Sequence, residues 1–174
     1  MSGSLLTRKV TDKDQIQGNL FASIELVEYG DYQCPHCGRA YHIIKQIQEA
    51  LGDKLKFIFR NFPLTNIHTD AMNAAVAAEA AGKQGKFWEM HDMIYEHQDS
   101  LSESYLFSYA QDLGLNVKQF QNDMVSAEIL SKMEDDFESG IRSGVNGTPS
   151  FFINGEKYSN NWDYEPLLNH LKSL

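Results

Sequence analysis

Cysteine is scarce in this chain: among 174 residues, Cys34 and Cys37 are the two thiols. A small secreted scaffold held by disulfides would be far denser in cysteine, so that class is excluded. Long apolar stretches are missing as well. No run approaches eighteen consecutive apolar residues, and the N-terminal "MSGSLLTRKVTDKD" has no apolar core between a basic start and a small-residue cleavage site. Neither a membrane span nor an export signal is therefore expected. The Ser-Gly-Ser after Met1 has the composition of an engineered remnant, so location stays open: cytoplasmic as the chain stands, periplasmic or extracellular if a leader preceded it. Basic charge is also short. Fifteen Lys and Arg face 24 Asp and Glu, giving a formal charge of −9 with no basic run, which disfavours nucleic acid and anionic membranes as partners. Internal repeats and low-complexity tracts are absent too.

What the chain does have is enough apolar residues, 42%, to bury one good-sized core, so one domain with a sizeable insertion is expected. "IELVEYG", residues 24–30, is a β-branched and apolar run ending at glycine and predicts a strand buried on both faces. Pro35 suits the first turn of a helix, where its missing N–H would be unpaired anyway. That helix is predicted over 35–51, with Tyr41, Ile44, Ile47 and Leu51 on one face and Gly52 at its end. "LKFIFR", 55–60, is a second strand, which makes a right-handed βαβ unit with parallel strands. From Ile67 to about Gly144 the periodicity is helical throughout, beginning with the alanine-rich 71–81. "SFFINGEKYS" then places Asn154-Gly155 between two strand-like runs, the signature of a type I′ hairpin, and a helix over 164–174 closes the chain. The expected architecture is α/β, with a four-strand mixed sheet flanked by helices. Residues 1–62 and 145–174 form the sheet domain and 63–144 an all-helical insertion.

The cysteine pair sits at the junction of the first strand and its helix. A disulfide between Cys34 and Cys37 would close only two intervening residues, so it restrains the unfolded chain very little and stapling is its poorest use. With Cys34 at the helix N-cap, first-turn N–H groups and the positive end of the helix dipole surround its sulfur and favour the anion. Cys34 is then the nucleophile for thiol–disulfide exchange and Cys37 the resolving thiol. Lowering a thiol pKa from about 8.5 to about 5.5 stabilises the reduced form at pH 7 by roughly 2 kcal/mol, on the order of 40 mV toward oxidant. His36, between the cysteines, pushes the same way by donating to the thiolate.

"EYGDYQCPHCGRAY", "GTPSFFING" and the helical block between them closely resemble the bacterial DsbA-like thiol:disulfide oxidoreductases. The resemblance runs from about Asp14 to the C-terminus. It implies a thioredoxin-like fold with a helical insertion, a redox-active Cys34–Cys37 disulfide in place of a separate cofactor, and cysteine-containing protein or peptide substrates. It also implies a recycling partner, either a membrane oxidase or a thioredoxin-type reductase. By the same resemblance Pro149, preceded by Thr148, matches a cis-proline facing the cysteine pair, beside which the Thr148 backbone could pair with an extended peptide. Glu28 matches a buried acid beneath the site that relays the proton of Cys37; Arg60 is a looser match to a basic counterpart near that acid and is expected rather as a plain surface arginine. Family members with serine at the nucleophile position act on glutathione conjugates; the intact Cys34-Pro35-His36-Cys37 sequence argues against that here.

A competing use of the motif is a zinc- or protein-binding module, with Cys34, Cys37, His36 and His42 as ligands. Four ligands on one helix start would force it to unwind. His42, His68, His91, His97 and His170 are scattered and show no metal-ligand spacing. Phe87, Trp88, Tyr95, Tyr105, Phe107 and Tyr109 are expected in the core of the helical block. Glu134, Asp135, Asp136 and Glu138 are expected on a solvated helix face. No dimerisation segment is apparent, so a monomer is expected.

Overall fold

A computed structural model describes residues 4–174; most of the Ser-Gly-Ser stretch read above as a remnant lies outside the described residues. The chain builds β1 (Gln15–Gly18), β2 (Ile24–Gly30), α1 (Pro35–Leu51), β3 (Leu55–Asn61), then α2 (Ala71–Gly82), α3 (Phe87–Glu96), α4 (Glu103–Asp112), α5 (Val117–Met124) and α6 (Ala127–Arg142), and finally β4 (Ser150–Ile153), β5 (Glu156–Tyr158) and α7 (Tyr164–Lys172).

The sheet has five strands in the order β1-β3-β2-β4-β5, with β2 and β3 parallel and the other neighbours antiparallel. This corrects the four-strand expectation. The added strand, β1, reads Gln-Ile-Gln-Gly, too short and polar to show an alternating pattern, and gains its place by pairing with the edge of β3. The βαβ unit is as expected, and β2 is buried along nearly its whole length because both faces are covered. Between β4 and β5, Asn154 and Gly155 have φ of 49° and 87°, the two positive values a type I′ turn requires.

Strand parity divides the core in two. Leu26 and Glu28 face the side covered by α1, α7 and the helical block, where one apolar cluster runs without a break from Leu26 and Phe57 to Phe120 and Met133. Val27 and Tyr29 face the other side, a smaller cluster with Ile58, Phe62, Val145 and Phe152, lined by Leu6, Val10 and Ile16 of the N-terminal segment. Arg60 stands in register with Tyr29 and Phe59 with Glu28, so Arg60 belongs to the second face. There it is fully buried, donating to both carboxylate oxygens of Asp14 at 2.8 and 3.1 Å and to the Tyr29 hydroxyl at 2.9 Å. Both readings of Arg60 are therefore overturned: it is not a surface arginine, and one residue of register puts its side chain on the face of the sheet opposite Glu28.

A second correction concerns the acidic run on α6. Glu134, Asp135 and Glu138 are exposed, but Asp136 is fully buried. It falls on the same stripe as Ile129, Met133 and Gly140, where it accepts from Arg8, from the backbone and side chain of Asn61, and from Lys132. A buried carboxylate persists when charges and N–H groups surround it in this way.

Candidate active site

β2 ends at Gly30, and a tight turn carries the chain to Pro35 at the first position of α1. Asp31 makes that turn. Its carboxylate, almost fully buried, accepts from the N–H of Gln33 at 2.8 Å and of Leu64 at 2.9 Å and lies 2.7 Å from Nδ1 of His68. The segment after β3 is thereby tied to the segment before Cys34. Gln33 extends the tie by accepting from the N–H of Asp70 at 2.8 Å.

Cys34 occupies the N-cap of α1 with extended backbone, as predicted, and its carbonyl accepts the first helical bond from Gly38 at 3.0 Å. Both cysteines are free thiols. The Cys34 sulfur lies 3.7 Å from the Thr148 carbonyl oxygen, and the Thr148–Pro149 peptide is cis. Cys37 is fully buried, with the N–H of Asp31 directed at its sulfur at 3.4 Å. Pro35 and His36 are exposed at the helix start.

The two thiols are driven apart in acidity. A hydrogen bond from the Cys37 thiol holds the Cys34 thiol down to about 5. Partial burial opposes it, while the Thr148 side chain and the N–H groups of Cys37 and His36 add to it. Cys37 is pushed well above the ordinary thiol range by burial first, and then by donating a hydrogen bond to the Cys34 sulfur and by the nearby Glu28 and Cys34 charges. Glu28 is buried beneath the pair with Oε2 lacking any protein partner, and desolvation together with the Cys34 charge raises its carboxyl to about 8. A pocket of about 10 Å³, room for roughly one water, touches Glu28, Tyr41, His91 and Tyr95. On the outer side, an open groove of about 370 Å³ runs along Asn146, Thr148, Pro149, Tyr158, Asn160 and Trp162, with the Arg39 guanidinium 4.0 Å above the Trp162 ring.

The structure thus brings together Cys34, Cys37, Pro35, His36, Glu28, Thr148 and Pro149, from β2, α1 and the start of β4, and leaves Arg60 apart. His42 is exposed on α1, while His91 is buried and edge-on to Phe59 and Tyr95. Of the aromatic group, Phe87, Tyr95 and Tyr109 are buried, but Tyr105 is half exposed. Sequence reading missed Asp31 and His68. The signal for Asp31 was local, an aspartate two residues before the N–H it caps; His68 gave none, because its partner is 37 residues away.

A family model described as thioredoxin matches residues 10–173. The chain belongs to the thioredoxin family. Among solved structures it is similar to a thioredoxin-like oxidoreductase from Silicibacter pomeroyi, with a TM-score of 0.84 at 25% identity over 94% of this chain and 92% of that one. It is also similar to BdbD from Bacillus subtilis (0.82, 24%, over 99% and 96%) and to alpha-DsbA1 from Wolbachia pipientis (0.83, 24%, over 95% and 92%). At such identities these likenesses establish the fold, a thioredoxin-like sheet with inserted helices. Curated relatives include proteins named Na(+)/H(+) antiporter NhaA 1 from Mycolicibacterium vanbaalenii, 39% identical over 93% of this chain, and from Salinispora arenicola, 36% over 90%. This thioredoxin-family chain spans about a quarter of their length, 27% and 24%. Among its described residues no helix is long and apolar enough to cross a membrane.

Proposed function

We propose that the chain is a DsbA-type thiol:disulfide oxidoreductase that acts as a dithiol oxidase on cysteine-containing proteins or peptides. The observation that carries the reading is the placement of the sulfurs, with Cys34 at the N-cap of α1, 3.7 Å from the Thr148 carbonyl beside a cis-proline, and Cys37 fully buried one turn on; the direction of their acidity shifts agrees with it. In the oxidised protein a substrate thiolate attacks the Cys34 sulfur. The Cys34–Cys37 bond breaks, the electron pair leaves on Cys37, and a proton is taken up there, with Glu28 as the nearby acid that holds one at neutral pH. A second substrate thiolate then attacks the substrate sulfur of the mixed disulfide. The substrate disulfide forms and Cys34 departs as thiolate, its low proton affinity making it the better leaving group. Two electrons have passed from substrate to protein, and an oxidising partner such as a membrane oxidase must collect them; a thioredoxin-type reductase would supply electrons and suit only the reverse direction. Thr148 and Pro149, both half-buried, line a groove in which an extended substrate segment can lie while its cysteine meets Cys34.

The experiment is a pair of variants assayed for oxidation of a reduced, unfolded protein. Cys34→Ser abolishes activity, and Cys37→Ser, presented with a disulfide-bonded protein, attacks that disulfide through Cys34 and accumulates the mixed disulfide while one substrate thiol is released. Activity retained in Cys34→Ser, or stoichiometric zinc that shields both thiols from alkylation, would overturn the reading.

A further inference from the structure

Gly38 follows Cys37 within α1, and its backbone is helical, so no left-handed conformation calls for glycine. Inside a helix alanine would be favoured by about 1 kcal/mol. Space supplies the missing reason. A Cβ on Gly38 would come 2.1 Å from Oε1, 2.7 Å from Cδ and 3.0 Å from Nε2 of Gln98, a residue in the connection between α3 and α4 of the helical block. The carboxamide of Gln98 fills the volume that a side chain at position 38 would occupy. From that seat its Nε2 donates to the Tyr32 carbonyl at 2.8 Å and to the Cys34 carbonyl at 3.0 Å. Both Nε2 hydrogens are thus used on the two carbonyls that bracket Gln33, in the turn leading to the nucleophile.

We propose that Gln98 is a positioning residue for Cys34, plugged into the socket left by Gly38 and holding the Tyr32–Gln33 and Cys34–Pro35 peptide groups through two hydrogen bonds. The Cys34 carbonyl also accepts the first helical bond from Gly38, so with the Gln98 bond its two lone pairs are both engaged and the peptide plane between Cys34 and Pro35 is fixed. That plane sets where the Cys34 sulfur stands relative to the N–H groups of His36 and Cys37. Gln98 is the point at which the helical block reaches the backbone of the cysteine motif itself. The consequence for reactivity rests on the redox reading above; the plug-and-socket contact does not.

The test compares Gln98→Met, which nearly keeps the volume and removes both donors, with Gly38→Ala, which expels the carboxamide, and with the double variant Gly38→Ala/Gln98→Ala beside Gln98→Ala, all in the reduced full chain. Each is read by thiolate absorbance against pH, by the rate of attack on oxidised glutathione at pH 5, and by Tm. Gln98→Met and Gly38→Ala are expected to raise the Cys34 midpoint by about half a unit or more, which cuts the thiolate fraction at pH 5 from about one half to about one quarter and slows attack by up to about twofold. Adding Gly38→Ala to Gln98→Ala is expected to cost nothing further in midpoint or Tm, since the clash is gone. A Gln98→Met protein that loses Tm but keeps the parent midpoint and rate would overturn the positioning role, and additive losses in the double variant would overturn the socket. A parent protein titrating near 9 would instead overturn the redox reading, leaving the Tm coupling to decide the socket.

Discussion

The sulfur of Cys34 and the carbonyl oxygen of Thr148 stand 3.7 Å apart across 114 residues of sequence. The segment just before β4 is the wall of the cysteine site, and its Thr148 carbonyl faces the Cys34 sulfur. The Thr148 hydroxyl is buried without a protein partner, so it is free to donate toward a thiolate. Thr148→Val keeps the shape and removes that donor. The Cys34 midpoint should rise by less than one pH unit, because one of several contributions is lost, while Tm changes by little. An unchanged midpoint would mean that the hydroxyl does not serve the sulfur.

Stability of the reduced protein should depend on pH through Cys34. Its thiol is held to about 5 in the folded chain against an ordinary value of 9.0, so this group favours folding fully above pH 9 and loses that contribution as pH falls toward 5. The oxidised protein has no such group. Urea unfolding of both forms across this range should show the reduced form losing ground to the oxidised one as pH falls. Parallel curves would contradict the shift.

Glu28 works with the opposite sign. Its carboxyl is raised from 4.5 to about 8, so the folded state is favoured fully below pH 4.5 and loses that contribution as pH rises through 8. Glu28→Gln removes the ionisation. Relative to the parent, the variant should gain stability as pH climbs through 8. If Glu28 supplies the proton taken up at Cys37, substrate oxidation by the variant should also slow by about 10²-fold, the usual range for a lost acid or base. Full speed with an altered stability profile would leave Glu28 a buried acid without a catalytic part.

Asp14 and Arg60 test the separation of the two faces. Asp14→Asn leaves a fully buried guanidinium without its counter-charge, a change that costs about 3–5 kcal/mol in comparable buried pairs. Thermal unfolding should show a large fall in Tm. The Cys34 midpoint should not move, because Arg60 lies across the sheet from Glu28 and the cysteines. A shifted midpoint would show that the two faces communicate.

The legible parts of this molecule were those whose cause is local. Pro35 after a buried strand, the periodic apolar face of α1 and the Asn154-Gly155 turn each carry their own geometry, and the structure places them as the residues suggested. Parts that depend on distant partners were not legible. β1 exists because the edge of β3 is open to it; Asp136 is buried because Asn61, Arg8 and Lys132 meet it there. Glu28 and Arg60 looked like neighbours, but register alone decides which face each takes. In the site, the cysteines announced themselves, whereas His68 and Gln98 enter through loops whose approach no local pattern records.

The central claim is that Cys34 is a thiolate at neutral pH, and the direct measurement is ultraviolet thiolate absorbance of the reduced protein titrated against pH, with Cys34→Ser as the blank. A group titrating near 5 is about 99% ionised at pH 7, and one near 9 only about 1%. The account predicts a midpoint close to 5 that vanishes in Cys34→Ser; a single rise near 9, unchanged in that variant, would contradict it.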